Sequence, residues 1–300
     1  MANAPPKTAP KSASPGPKQS KPAGIRPDFA TIGGIAVALT GILGGLLLEK
    51  GRLQDVAQMT AAMIVLGGTL GAVLVTTPLA VFVRACKALG GAFFEQGDSS
   101  SAIVDSLIRY ATMARKNGIV SLETEAASIQ DPFLRKALNL AVDGTDLQEL
   151  RKMMELDNNL SEMAGESLAK VWEAAGGYAP TIGIIGAVLG LIQVMKHLED
   201  IAAVGHGIAV AFVATVYGVG SANIFFLPVA NKLRGRTRAA AMMRDLALEG
   251  VMGIVEGLNP TLLRTKLEAY TQDSPRPAKS KRPGAVAKPA PSGQPATGGG

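Results

Sequence analysis

Apolar positions along this chain gather into four long blocks. Residues 29–48 contain no charged side chain, and neither do residues 56–83, 174–195 or 207–231. A helix rising 1.5 Å per residue needs about 20 apolar residues to cross ~30 Å of hydrocarbon. The pattern therefore predicts four membrane-spanning helices. Residues 49–55 are too short to do more than turn the chain, so the first two spans form an antiparallel hairpin. A short charged turn joins the last two into a second hairpin, and each of these carries a proline near one end, Pro180 and Pro228. In a soluble helix an interior proline costs about 3 kcal/mol, but membrane helices accept it where neighbours re-satisfy the freed carbonyl. Antiparallel pairing puts both prolines at similar depth.

Between the hairpins, residues 84–173 alternate apolar and polar positions at helical spacing. A helix is expected over 99–116, interrupted by Gly118, with Ser121 capping the next. Asp131 followed by Pro132 reads as an N-cap and a first helical residue, and Thr145 with Gln148 as a capping box. The helix that follows is expected to run toward Trp172. Residues 232–270 form a further amphipathic region opened by Arg234, Arg236 and Arg238. The fold class is thus all-α: a polytopic membrane protein with four transmembrane helices and a helical insertion between the second and third. Its domains read as a basic tail (1–27), a first hairpin (28–83), a helical insertion (84–173), a second hairpin (174–231), a C-terminal helical region (232–270) and a second basic tail (271–300).

Charge changes the picture only once it is located. The net charge of +6 comes from the two tails, which hold five Lys/Arg each against a single Asp. Both are rich in Pro, Ala, Ser, Gly and Lys without apolar periodicity, a composition that stays disordered. Basic residues interleaved with aromatics on a folded surface are absent, which argues against nucleic acid and leaves anionic membrane lipid as the tails' partner. Residues 1–25 also lack the apolar core of a signal peptide. With both termini in the cytoplasm, only Lys50, Arg52 and Lys196 of the 30 basic residues lie outside, the distribution that the positive-inside rule requires of an inner-membrane protein.

No Asp, Glu, Lys or Arg lies inside any span. An ionisable group at mid-membrane costs at least about 2.5 kcal/mol and marks ion or substrate handling. If ions pass here, another chain supplies the carboxylate. No nucleophile with a base, phosphate loop or metal-type Cys/His spacing appears, so neither enzymatic activity nor a cofactor is expected. Cys86 reads as a small helix residue, and His197 and His206 as turn residues. Tyr217 and Asn223 read as inter-helix hydrogen-bonding groups. Small residues recur four apart in every span (Gly41 and Gly45, Gly67 and Gly71, Gly186 and Gly190, Ala214 with Gly218 and Ala222), the spacing that lets membrane helices pack closely. Four helices need fewer, which points to a homo-oligomer.

The run Ala211-Phe212-x-Ala214-Thr215-Val216-x-Gly218, with Pro228 beyond it, resembles the fourth-helix signature of the bacterial flagellar stator A subunit, the MotA/PomA family. Pro180-x-x-Gly183-x-x-Gly186-Ala187-x-x-Gly190-Leu191 is similar to that family's third helix. Arg115-x-x-Gly118-x-x-Ser121-Leu122-Glu123 and Gly67-Gly68-Thr69-Leu70-Gly71 resemble its insertion and second helix. The likeness covers about residues 28–270 and leaves out the tails.

The resemblance implies a ring of five A subunits around the helices of a peptidoglycan-anchored B dimer, whose aspartates carry the ion. It also implies contact with the flagellar rotor's switch protein. By carry-over, Pro180, Ala187, Thr215 and Pro228 shape the ion pathway, and Arg115 and Glu123 engage the rotor. Ala187 stands where sodium-driven members carry a hydroxyl, which implies proton coupling. Blander roles stay open beside these: Thr215 bonding back to its own helix, Pro180 serving only as a first-turn residue, Arg115 and Glu123 as solvated charges. The alternative function is an ExbB/TolQ-type energiser of outer-membrane transport. Such proteins resemble three-span chains whose large insertion follows the first span, whereas here it follows the second.

Overall fold

The computed structural model of the chain describes residues 26–95 and 100–272. The tails expected to be disordered lie almost wholly outside the described residues.

Helix α1 (Phe29–Leu48) is the first span, started by Asp28, whose carboxylate accepts from the backbone N–H groups of Ala30 and Thr31. The second span is built from pieces. The turns α2 (Leu53–Val56) and α3 (Met59–Ala62) are followed by a π-helical turn at Met63–Gly67 and by α4 (Gly68–Thr76). The helix expected to continue to residue 83 stops at Thr76. Pro78 disfavours helical backbone at the residue before it, and Thr77 is extended (φ −126°, ψ 130°). The chain then turns into a separate amphipathic helix, α5 (Leu79–Phe93).

The insertion continues with α6 (Ser100–Asn117), a 3₁₀ turn at Ile119–Leu122, α7 (Glu123–Ser128) and α8 (Pro132–Val142). Asp131 caps α8 with Pro132 in its first turn, as the sequence predicts. Two other expected caps fall differently. The Ser121 hydroxyl donates to the carbonyl of Gly118 (2.6 Å) and caps nothing. Asp146 takes the place expected for Thr145, its carboxylate accepting from Gln148 N–H (2.9 Å) and Glu149 N–H (3.3 Å).

From there α9 (Leu147–Lys196) runs 50 residues without a break, so the last helix of the insertion and the third span are one element. The fourth span does the same in reverse: α10 (Ile201–Ser221), a π turn at Ala222–Phe226, and α11 (Leu227–Val255), which passes from the membrane into the domain. Helix α12 (Pro260–Gln272) closes that domain. The described residues are nearly all helical, with one two-residue antiparallel pairing among them, of β1 (Arg26–Pro27) and β2 (Phe94–Glu95).

Three apolar clusters hold these pieces. In the insertion, Leu107, Leu122, Leu138, Leu150, Leu246 and Leu263 are fully buried between α6, α8, α9, α11 and α12. At the insertion-side end of the spans, the Trp172 ring stacks on Phe226 and meets Phe225 edge-on, and its indole N–H donates to the carbonyl of Ala85 (3.3 Å). Within the membrane, Ala61 and Val65 pack on Val213 and Ala214.

Helix α1 buries none of its side chains in this subunit. Its attachment is Asp28, 5% exposed, which pairs with Lys232 while its backbone N–H bonds the carbonyl of Phe93 (2.9 Å). The hydrogen bond from Lys232, helped by the N–H of Thr31, holds the Asp28 carboxyl down at about 2 from its ordinary 3.8. A depressed carboxyl adds stability that is present above the unfolded value and lost as pH falls through the folded one. We predict that Asp28→Asn costs about 1–3 kcal/mol, the penalty for stripping one partner from a buried polar pair. In thermal unfolding of the solubilised protein, the difference between wild type and variant should hold above pH 4 and shrink toward pH 2. An identical midpoint at neutral pH would show that the pair does not anchor α1.

Candidate functional site

Helices α9 and α10 approach through their backbones. A Cβ placed on Gly190 would lie 2.7 Å from the carbonyl oxygen of Gly207 and 2.8 Å from the nitrogen of Ala211. One on Gly183 would lie 2.9 Å from the carbonyl oxygen of Ala214, and one on Gly218 only 2.5 Å from that of Ala179. Side chains do not show such contacts, so glycine is needed on both sides. The four-residue spacings of the third and fourth spans are thus packing within one subunit. Gly41, Gly45, Gly67 and Gly71 have no atom of another element within 4 Å of a built Cβ, and their faces stay open.

Thr215 sits in this seam, half-buried, with its Cα 3.5 Å from where a Cβ on Gly183 would stand. Ala187 lies one turn beyond Gly183 on the same side of α9, also half-buried. The structure therefore brings the turns of Thr215 and Ala187 together. The Thr215 hydroxyl donates to the carbonyl of Ala211 (3.2 Å), the local bond expected as its blander role. That uses its proton and leaves its oxygen free to accept.

The two prolines are not level. Pro180 follows Ala179, whose carbonyl faces Gly218, whereas Pro228 follows Leu227, which packs against Gly176. From Gly176 to Pro180 the rise along α9 is roughly 6 Å, at about 1.5 Å per residue, so Pro228 lies nearer the insertion by about a turn. Pro180 is interior to α9 and not a first-turn residue. Lacking an N–H, it leaves the carbonyl of Gly176 without a helical donor. Pro228 stands one residue past the π turn at Ala222–Phe226, whose wider ladder accommodates the ring; such turns recur at functional sites. Pro180 is half-buried and Pro228 exposed.

Tyr217 bridges elements as expected. Its hydroxyl donates to the carbonyl of Val56 and accepts from Gln58 N–H (3.4 Å), adding to the bond these two groups share (3.2 Å) at the break between α2 and α3. Asn223 does not bridge: its side chain donates to Val219 of its own helix (2.9 Å). Sequence reading gave no role to the Thr69 hydroxyl, which is fully buried in α4 with no partner among the described residues. Arg115 and Glu123 lie away from the seam, both exposed, at the end of α6 and the start of α7. Cys86 is exposed on α5.

Residues 32–118 match the model for the motility protein A N-terminal region, and residues 125–246 match the MotA/TolQ/ExbB proton channel family. Motility protein A of Helicobacter pylori is 33% identical over 243 residues, spanning 81% of this chain and 95% of that one. The chain belongs to the motility protein A family. Chemotaxis protein PomA of Vibrio alginolyticus is likewise 33% identical, over 83% of this chain and 97% of its own. Among solved structures, C. jejuni MotAB superposes with a TM-score of 0.77 at 32% identity over 81% of this chain and 95% of that one. The flagellar MotAB stator complex of Bacillus subtilis gives 0.74 at 30%, over 80% and 95%. The MotA/PomA resemblance and the four-span, all-helical fold are both borne out, and the chain is a multi-pass membrane protein.

The seam makes a sharp prediction. Gly218→Val should cost about 1–3 kcal/mol, as overpacking does, because its Cβ meets the backbone of Ala179. Gly220→Ala, with nothing within 4 Å of its Cβ, should be neutral or stabilise by up to about 1 kcal/mol. Unfolding of the purified variants, followed by circular dichroism, would contradict the seam if the two behaved alike.

Proposed function

We propose that this chain is the A-type subunit of a flagellar stator, an ion-driven torque generator assembled with a B subunit that brings the ion-binding aspartate. What carries this reading is one observation: the charge-free stretches of the four spans offer a hydroxyl, a carbonyl freed by Pro180 and glycine contacts, but no carboxylate. The solved relatives are MotAB complexes, and a B-type partner supplies the missing group. In this reading the A subunits form a ring, five around two B helices, with open faces such as that of α1 against lipid or neighbours. Both termini, the insertion and α12 lie in the cytoplasm of an inner-membrane protein, as the distribution of basic residues favours.

In this mechanism the ion dwells on the partner's carboxylate beside the α9–α10 seam. Thr215, with an acceptor oxygen to spare, and the carbonyl freed by Pro180 would line its route toward Pro228. A stripped sodium ion needs several oxygen ligands, whereas a proton needs only the carboxylate and a water path. Ala187 withholds one such oxygen, which supports a proton. One charge crossing 100 mV releases about 2.3 kcal/mol, so passage drives movement only if the two are tightly coupled. The continuous α9 and α10–α11 offer that coupling. Arg115 and Glu123 would then meet the rotor's switch protein by charge. An ExbB/TolQ-type energiser is the weaker reading, since the insertion follows the second span and the N-terminal match is to motility protein A.

Two outcomes test this. Reconstituted alone in liposomes, the protein should pass no protons. Co-reconstituted with its B subunit, it should pass them at a rate indifferent to sodium. Flux from the protein alone, or flux that saturates with sodium, would refute the partner or the ion respectively. At the rotor, Arg115→Glu or Glu123→Lys should cut torque in tethered cells by severalfold while membrane levels stay unchanged, because exposed charges contribute about 0–1 kcal/mol to folding yet steer protein contacts. Loss of the protein from the membrane would make these residues structural.

A further inference from the structure

Among the described residues, helix α5 is the one long helix that neither spans the membrane nor enters the core of the insertion. It starts two residues after α4 leaves the membrane. The indole N–H of Trp172, at the foot of the third span, is bonded to its Ala85 carbonyl. α5 therefore lies at the membrane boundary on the insertion side.

Its surface divides into three sectors. Val81, Phe82, Ala85, Ala88, Leu89 and Phe93 pack toward α9 and α11 around the Trp172 cluster. Leu79, Val83 and Cys86, at i, i+4 and i+7, form an exposed apolar edge, with Leu79 67% and Val83 42% exposed. Beside it run Arg84, Lys87 and Gly91, at i, i+3 and i+7, exposed as well. Arg236 of α11 meets this second edge: its Nη1 lies 3.9 Å from where a Cβ on Gly91 would stand.

The neighbouring cations of α11 are already committed. Lys232 pairs with Asp28, Arg234 with Glu173, and Arg238 with Glu166. Among the described residues no carboxylate pairs with Arg84, Lys87 or Arg236, although Arg236 is half-buried. Arg84 and Lys87 thus run along one edge of α5 with Arg236 at its Gly91 end, three cations with no paired carboxylate among the described residues. A half-buried guanidinium without an acid asks for an external anion, and its planar fork suits a phosphate.

We propose that Arg84, Lys87 and Arg236 form a headgroup site for an anionic phospholipid of the cytoplasmic leaflet. The phosphate would rest on the Arg84–Lys87–Gly91 edge beside Arg236, and the acyl chains would lie along the Leu79–Val83 edge. A soluble anion uses only the cations; a lipid uses both edges, and both lie at the boundary where headgroups and acyl chains meet. The site is separate from the basic tails, and it does not depend on which ion or partner the seam serves.

The test is native mass spectrometry of the full-length protein in detergent, offered phosphatidylglycerol and phosphatidylcholine in equal amounts. Wild type should retain phosphatidylglycerol preferentially. Arg84→Gln, Lys87→Gln and Arg236→Gln combined should reduce that retention at least about tenfold, given about fivefold per juxtamembrane cation, with phosphatidylcholine unaffected. If the triple variant misfolds, Gly91→Asp decides, since it sets a carboxylate beside Arg236 on the cationic edge without removing any packed side chain and should also reduce the preference for phosphatidylglycerol. Undiminished preference in a folded variant would overturn the site and return lipid binding to the tails. Displacement of the lipid by millimolar inorganic phosphate would overturn the lipid assignment in favour of a soluble anion.

Discussion

Backbone contact between α9 and α10 is the constraint on which the rest depends. Lipid removes the hydrophobic drive between membrane helices, so association rests on close packing and hydrogen bonds. Here Gly183, Gly190, Gly207 and Gly218 let the two backbones touch, and the same pair of helices continues past the membrane into the insertion. One interface therefore fixes both the geometry around Thr215 and the position of the domain carrying Arg115 and Glu123. The first hairpin is secondary to it. The second span docks through Tyr217 and the small Ala61–Val65 cluster, and α1 is tied chiefly by Asp28.

Polar groups at the membrane edges complete this division. Asp28 bonds a group on another element where α1 starts, Tyr217 does so where the second span breaks, and Trp172 ties α9 to the middle of α5. In the membrane an unpaired backbone group is costly, and apart from the carbonyl freed by Pro180 the breaks in the second and fourth spans have a nearby side chain or a π turn to absorb them. The break at residues 57–58 exists with Tyr217 beside it, and Pro228 follows a π turn. Thr69 is the exception, buried with its hydroxyl unpaired.

Charge-free runs made all four spans legible in sequence, because burial of a charge in hydrocarbon is costly enough to leave a clean gap. Asp131 with Pro132 was equally plain. The end of the second span was not: Pro78 stands inside the uncharged run from 56 to 83, and the length of that run outweighed the proline. Residues 77–83 belong to a boundary turn and an amphipathic helix whose own charges, Arg84 and Lys87, come only later. Thr145 lost its capping role to Asp146 because two acceptors stood side by side and local geometry chose between them. The π turns leave no compositional mark. At the site, motif spacing pointed to Thr215 and Ala187, but that their turns face each other across glycine backbones required the fold. Asn223 was misjudged because a polar residue in a span can satisfy itself four residues back as readily as across to a neighbour.

Continuity across the membrane boundary has a mechanical consequence. Helix α9 is unbroken from Leu147 to Lys196, and no loop interrupts it where a movement could dissipate. Such a helix transmits a tilt at the seam to the insertion as a proportionate displacement. The Trp172, Phe225 and Phe226 cluster stands near the midpoint, where it holds α9 against α11 just below the membrane. Stiffness elsewhere concentrates compliance at the two irregular places next to the seam, the carbonyl freed by Pro180 and the π turn ahead of Pro228. Under the function proposed above, a small charge-driven shift on a partner helix beside Thr215 would be expressed as rotation of the long helices about these points. In that proposed mechanism the prolines would act as pivots, and because they sit at different heights, a local bend would become a twist of the insertion relative to the spans.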